Sequence, residues 1–332
     1  MNQINEMFLP EVTVCVPIYG VEQYIERCAV CLFEQTYANL SFVFVNDCTK
    51  DHSIEILQQV MQRYPMRASK VNIIHHEKNR GLAAARNTAV AAVKSPFMFN
   101  LDSDDSIDVH TIERLVQKQI ETDADVVTAS VVRQLPGGKE RITRFSDITT
   151  SENWCCKLLA REVPVSVWGR LIRTSLYHDN HIYAKEGVNM CEDYHVIPRI
   201  AYVAKSMTYE NEAIYYYNCQ NVQSVSQLIS EPKFDQQFEC LDILYDFFKD
   251  KGKQFIRAYE IGNAKMLGEI TMNCCRAGKQ DYFKKQIQKR LEAVDKQYIN
   301  GISLSYRIAF YLPYYQFLHL YASVGHWIKK NK

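Results

Sequence analysis

Along the first 130 residues the apolar positions switch back and forth between two spacings. Val12 to Tyr19 (VTVCVPIY) is a continuous, β-branched apolar run, the pattern of a strand buried on both faces. Glu22 to Gln35 follows at helical spacing, with Tyr24, Ile25, Cys28, Leu32 and Phe33 on one side. Leu40 to Asn46 (LSFVFVN) predicts a second buried strand, and Ser53 to Tyr64 a helix. The alternation continues with a strand at Val71 to His75 and an alanine-rich helix at Leu82 to Val93. A strand at Pro96 to Leu101, a helix at Val109 to Ile120 and a strand at Asp125 to Ser130 complete it. Strand and helix in turn mean βαβ units. The expected fold class is α/β, a mostly parallel central sheet with helices on both faces.

After Gln134 the rhythm breaks. Leu135-Pro136-Gly137-Gly138-Lys139 reads as a turn, closing a hairpin onto a strand near Arg141 to Phe145. Residues 151–226 are mixed, and 231–332 look helical throughout. The expected division is a first domain at 10–226, with halves at 10–105 and 106–226, and a helical C-terminal extension at 231–332.

Sheets of this kind bind ligands at the carboxyl ends of their strands. Those ends read Pro17-Ile18-Tyr19-Gly20, Asn46-Asp47-Cys48 and Leu101-Asp102-Ser103-Asp104-Asp105. Three carboxylates within four residues repel one another, so a divalent cation, Mg²⁺ or Mn²⁺, is the natural counter-charge. The alternative is a solvated acidic loop ahead of the helix near Val109. Asp47 suits a ligand to a base or ribose; a turn or cap role falls better to Asp51 or Ser53. Neither GxGxxG nor GxxxxGK[ST] occurs at the strand–helix turns, which leaves a mononucleotide held with a metal.

Arg80 and Arg86 flank the start of the alanine-rich helix and are placed to reach phosphate oxygens. Arg86 has a second reading, as the partner of a carboxylate in the Asp102 loop. Glu192-Asp193 opens an apolar helix pattern. It is either an acidic pair favoured by the helix dipole or a general base facing the metal. Trp168 reads as a sugar-stacking platform or as a core residue.

Composition narrows the classes. The formal net charge of the 332 residues is +1, with no basic block in the first two thirds, so nucleic acid is not an expected partner. Of the eleven cysteines, Cys15 sits in a strand pattern, Cys28 and Cys31 in a helix pattern, and Cys155-Cys156 and Cys274-Cys275 are adjacent, which suits reduced core thiols and not a disulfide framework. No signal-like segment opens the chain, so a cytoplasmic location is expected. Ile308 to Gly325 lacks charge but is too polar for a membrane span. With the lysines at 329, 330 and 332, the aromatic stretch 306–332 suits peripheral contact with the inner face of the membrane. Its other reading is a helix docked on the catalytic domain or on a second subunit of a homodimer.

Taken together the segments resemble the family 2 glycosyltransferases, inverting enzymes with a nucleotide-diphospho-sugar transferase (GT-A) fold. The resemblance rests on Val14 to Tyr19, Gln35-Thr36-Tyr37, Val45-Asn46-Asp47, Asn79-Arg80-Gly81, Ala85-Arg86-Asn87 and Leu101 to Asp105. Trp168-Gly169-Arg170-Leu171, Glu192-Asp193 and Tyr215-Tyr216-Tyr217 with Ser224-Val225-Ser226 extend it to about residue 226. Asn46 stands where the family usually has a second acid, and Cys48-Thr49 where it has glycine-serine.

The resemblance implies roles. The 10–105 half would bind a nucleotide sugar, most readily a UDP-sugar, and 106–226 the acceptor. Pro17 and Tyr19 would line the nucleoside pocket, with Asp47 on the base and Arg80, Arg86 and Asp102 completing the nucleotide site. Asp104 and Asp102 would hold Mn²⁺ or Mg²⁺, Trp168 and Glu192 would meet the acceptor, and Asp193 would be the catalytic base. The acceptor would be a glycan or lipid-linked glycan in bacterial surface polysaccharide synthesis. Two other readings are a sugar-phosphate nucleotidyltransferase, disfavoured by the lack of a Gly/Lys-rich loop after the first strand, and a degenerate carbohydrate-binding scaffold.

Overall fold

The computed structural model describes residues 9–145, 150–221, 230–279, 282–294 and 296–299. They fall into two compact units, Met1–Trp154 with Ser166–Ser224, and Cys155–Val165 with Val225–Lys332. The segment Cys155–Val165, expected in the first domain, groups with the helical unit. There Arg161 pairs with Glu269 at 2.8 Å, and Lys265 Nζ donates to the Ala160 carbonyl at 2.7 Å.

The first unit opens with strands where unbroken apolar runs demand them: β1 (Val12–Ile18), β2 (Leu40–Asn46), β3 (Val71–His75) and β4 (Phe97–Asn100). All seven residues of β1 and all four of β4 are buried, as a two-sided covered sheet requires. The helices between them are α1 (Ile25–Phe33), α2 (Ser53–Arg63), the short α3 (Pro65–Ala68) and α4 (Leu82–Ala92). In α4, Ala83, Ala84 and Ala85 are at most 1% exposed, so the absence of bulk lets the helix lie close on the sheet.

Further along come β5 (Ser106–Ile107), α5 (Thr111–Thr122), β6 (Val126–Leu135), β7 (Lys139–Thr143) and α6 (Ser151–Leu159). Then follow β8 (Arg170–Arg173), α7 (Ser175–His178), α8 (Glu192–Val203) and β9 (Met207–Asn218). Among the described residues nine strands form one sheet in the order β3-β2-β1-β4-β8-β6-β9-β5, with β7 beside β6. The pairs β3–β2, β2–β1 and β1–β4 are parallel, as the βαβ rhythm implies. Beyond β4 the sheet is mixed. β8 inserts antiparallel to both β4 and β6, whereas β9 runs parallel to β6 across a register shift at Ala129/Ser130.

Buried polar side chains lock the connections. Gln35 is 2% exposed. Its amide donates to the carbonyls of Cys31 (3.0 Å) and Asp108 (2.8 Å), and its oxygen accepts from the N–H of Ile112 (3.1 Å). One amide thus ties the end of α1 to the start of α5. Arg67 bonds the carbonyls of Phe33, Gln35, Tyr37 and Ala38, fixing the turn from α1 into β2.

The helical unit contains α9 (Glu231–Phe248) and α10 (Lys253–Arg276), with Phe238, Leu241, Leu244 and Phe248 buried on one and Ala264, Leu267 and Ile270 on the other. Shorter helical turns follow at Phe283–Ile287, Gln288–Ala293 and Lys296–Ile299. The proposed membrane-contacting stretch 306–332 and Ser224-Val225-Ser226 lie outside the described residues. Among the described residues no helix is long and apolar enough to cross a membrane.

Replacing Gln35 by leucine takes the side-chain partner from the Cys31 carbonyl and the Ile112 N–H, while the Asp108 carbonyl keeps the N–H of Thr111. The expected loss is about 2–4 kcal/mol of stability, read from urea unfolding followed by tryptophan fluorescence.

Candidate active site

The carboxyl ends of β1, β2 and β4 lie side by side, and each carries part of the site. Pro17 is buried within β1 opposite Val45. Pairing of β1 with β4 stops at Cys15, so no β4 carbonyl waits for the N–H that proline lacks. Tyr19, just past the strand, is 52% exposed, an aromatic surface at the mouth of the sheet.

Asp47 at the end of β2 is 3% exposed and already engaged. Its Oδ1 accepts from Arg80 N (2.8 Å) and contacts His76 Nδ1 (2.7 Å), and its Oδ2 accepts from Gly81 N (2.7 Å). Three of the roughly four lone pairs of a carboxylate are therefore committed to the loop that leads into α4. The expected free base ligand is first an anchor. Gly81 has φ +88°, and an added Cβ would lie 2.3 Å from Asn189, whose Oδ1 accepts from Ala83 N at 3.0 Å. Glycine is required there for conformation and for space. Arg80 points outward and pairs with Glu186 at 2.7 Å.

Arg86 does not reach outward for phosphate. It is 6% exposed, and its guanidinium meets Asp102 (2.8 Å), Glu192 (3.3 Å) and Asp193 (3.8 Å). Of the two sequence readings, the carboxylate partner is the one the geometry realises. Burial draws the Arg86 pKa down, but the summed field of Asp102, Asp193 and Glu192 outweighs it and holds the group well above its ordinary range. The cation is permanent.

In the acidic loop, Asp105 is fully buried, with Oδ2 accepting from the Tyr215 hydroxyl (2.6 Å) and Oδ1 from Asn218 N (2.7 Å). Asp104 Oδ2 accepts from Asn221 Nδ2 at 2.8 Å, and its carbonyl accepts from Arg27 at 2.7 Å. Ligand atoms of Asp102, Asp104 and Asp105 lie within 4.8 Å of one another. Burial, then the charge of Asp102, pushes the Asp104 pKa up. Burial, then Asp104 and Asp102, pushes Asp105 well above the carboxylate range. The loop is thus short of positive charge, which fits a bound cation. Asp105 has both oxygens taken, whereas Asp102 and Asp104 each keep one outside the hydrogen bonds among the described residues. Two carboxylate oxygens plus phosphate oxygens form a donor set suited to Mg²⁺ or Mn²⁺.

Glu192 and Asp193 open α8 behind Cys191, whose φ is +67°. Burial, then the charge of Asp193, raises Glu192 well above its ordinary range. Asp193 is also raised by burial, against the lowering pull of Arg86 and a hydrogen bond from Val167 N–H. A cavity of about 20 Å³ lies among Arg86, Asn100, Tyr177, Glu192 and Asp193, room for a water and not for a sugar.

Trp168, read as a sugar platform or a core residue, is 9% exposed and packs inward. It stacks on Tyr215 at 4.4 Å and on Tyr217 at 5.1 Å between centroids. Its face is covered, so its position supports Tyr215 and through it Asp105. The site thus includes Asp105, Tyr215, Asn218, Asn221 and Asn189, which the sequence reading did not single out individually. Of these, Asp105 was signalled as a member of the acidic run and Tyr215 as a member of the Tyr215-Tyr216-Tyr217 run.

The sequence and the fold have known relatives. Residues 13–170 match the family model described as "Glycosyl transferase family 2". The uncharacterized glycosyltransferase EpsJ of Bacillus subtilis is 26% identical over 237 residues, covering 70% of this chain and 67% of that protein. The teichoic acid poly(glycerol phosphate) polymerase of Staphylococcus epidermidis is 24% identical over 256 residues, 75% of this chain but 34% of the relative. Among solved structures, S. aureus TarS 1–349 in complex with UDP-GlcNAc superposes with TM-score 0.72 at 17% identity, covering 97% of this chain and 92% of that one. The chain carries a family 2 glycosyltransferase domain at residues 13–170 and has a GT-A-like fold, a mixed sheet with helices. It is an enzyme of the glycosyltransferase class.

Arg86→Leu leaves buried carboxylates without their cation, and about 3–5 kcal/mol of stability should be lost. Arg86→Lys keeps the charge without the planar fork and should recover only part of it. Denaturant unfolding of the two variants beside the wild type checks the ordering.

Proposed function

We propose that this enzyme moves a sugar from a nucleoside-diphosphate donor, a UDP-sugar, to an acceptor hydroxyl on a glycan or lipid-linked glycan of a bacterial surface polymer. The observation that carries the reading is the loop Asp102 to Asp105, joined through Arg86 to the Glu192–Asp193 pair. It sets a phosphate-facing acidic cluster and a buried carboxylate pair side by side at one sheet edge.

In this reading Tyr19 covers the nucleoside and Asp47 offers its remaining lone pair to the base. Pro17 keeps the end of β1 clear, while Arg80 and Glu186 border the entrance. Asp104 and Asp102 hold the divalent cation, which, when bound, neutralises charge on the departing diphosphate. Asp193 takes the proton from the acceptor hydroxyl. The acceptor oxygen forms its bond to the anomeric carbon as the bond to the diphosphate oxygen breaks, and the nucleoside diphosphate leaves with that electron pair. One displacement inverts the anomeric centre. Glu192, its pKa raised by burial and by the charge of Asp193, is the coupled neighbour of that base. The reading places the enzyme at the cytoplasmic face, with 306–332 touching the membrane or a second subunit.

Calorimetric titration with UDP and with GDP, each with Mn²⁺ and with EDTA, tests the donor site. Metal-dependent binding of UDP that disappears in Asp104→Ala is the expected result; no binding of either nucleotide under any condition overturns the reading.

The base assignment predicts a pH profile. Because the Asp193 pKa is raised, its active, ionised form is lost as pH falls through a value above the ordinary aspartate range. The acid limb of kcat/KM should therefore sit higher than for a free aspartate. Asp193→Asn should lose at least about a hundredfold in kcat while still binding UDP.

A further inference from the structure

Beyond Ser130 the pairing of three strands is regular, and it sets an unusual pair of residues opposite each other. Arg133 of β6 lies directly across from Arg141 of β7 and, on its other side, from Tyr217 of β9. Directly opposed residues share a sheet face. Lys139, opposite Leu135 and two residues from Arg141, falls on the same face. Arg133, Arg141 and Lys139 are all exposed, and among the described residues none of them forms an ion pair. The nearby carboxylate of Glu140 points to the other face, where it accepts from Gln134 at 3.4 Å. Like charges set directly opposite across a ladder destabilise it. The fold keeps them nonetheless.

The strip is continuous with the site. The Arg133 guanidinium sits 5.8 Å from the centroid of the Tyr217 ring. Tyr217 stacks on Trp168, Trp168 on Tyr215, and the Tyr215 hydroxyl bonds Asp105 of the acidic loop. Asn218 and Asn221, just past Tyr217, hold Asp105 and Asp104. Buried Tyr215 and Trp168 therefore link the acidic loop through the core to half-buried Tyr217, and the row of cations lies beside Tyr217 on adjacent strands.

Resting on the glycosyltransferase reading above, we propose that Arg133, Arg141 and Lys139, with Tyr217, form a docking track for an acceptor that carries phosphodiester groups along its chain. Guanidinium forks match phosphate oxygens bidentately. Cations spaced across neighbouring strands, about 5 Å apart, suit a repeating anion better than a single one. The aromatic ring between them and the acidic loop offers a surface for the polyol or sugar between two phosphates. The acidic loop repels the phosphates, so the track places them away from the reacting centre and leaves a neutral hydroxyl to approach Asp193.

The test is binding of a short synthetic glycerol-phosphate oligomer to the full chain by calorimetry, at low and at raised salt. Wild type should bind it in a salt-sensitive way, with neutral dextran oligosaccharide failing to compete. R133Q/R141Q should weaken binding at least about tenfold, and R133K/R141K should retain most of it. Circular dichroism and Mn²⁺–UDP binding should be unchanged in both variants. Equal binding by wild type and R133Q/R141Q overturns the proposal, as does equal competition by dextran. Inorganic phosphate alone competing at the same concentration reduces the track to an isolated anion site and also overturns it. A preference for polygalacturonate oligomers or for phosphatidylglycerol vesicles, lost in R133Q/R141Q, would assign the cations to another partner. Failure of Mn²⁺–UDP binding in the wild type strikes the glycosyltransferase reading instead, and the two failures are thereby separate.

Discussion

The guanidinium of Arg86 is the point on which this site turns. One buried cation lies within 3.8 Å of three carboxylates that come from two distant parts of the chain. Without it, Asp102, Glu192 and Asp193 are mutually repelling groups in a poorly solvated space. With it, the end of β4 and the start of α8 become one electrostatic unit. The rest of the architecture serves that meeting. Small residues at 83–85 let α4 sit deep on the sheet, Asp47 anchors the loop entering α4, and Asn189 reaches over from the segment before α8 to hold the same helix start.

A second layer of support acts on the acidic loop. Asp105 looks from the sequence like one more metal ligand, yet it is the member whose oxygens are both occupied. It works as the nail that fixes Asp102 and Asp104 at the sheet edge. Tyr215, braced by Trp168, supplies one of the bonds that hold it. Division of labour within a run of carboxylates thus follows from what faces each one, and not from their order in the chain.

The strands β1 to β4 and their helices were legible because parallel strands covered on both sides need unbroken apolar runs. β8 and β9 were not. Arg170–Arg173 is too short and too charged at its ends, and Met207–Asn218 mixes polar and aromatic residues because it lies toward the far side of the sheet. Strand-end logic located the acidic loop and Asp47, and the Glu192–Asp193 pair was marked by its place at the start of a helix pattern. It could not tell Arg86 the phosphate ligand from Arg86 the carboxylate bridge, since both need an arginine one turn into the same helix. Trp168 left two readings open for a related reason: an indole beside a site looks alike in sequence whether its face is open or stacked.

The antiparallel β8 has a bearing on how this protein can be cut. It is the seam between β4 and β6, so among the described residues the sheet's two halves are joined by β8 and the residues flanking it, 168–174. The segment that matches the family ends at the first residue of that strand. A fragment trimmed to the match would strip β8 from the middle of the sheet and leave β4 and β6 with bare hydrogen-bonding edges facing each other. Such edges recruit strands from other molecules. The minimal unit that folds as a soluble domain is therefore longer than the unit of sequence resemblance, and it must run through β9.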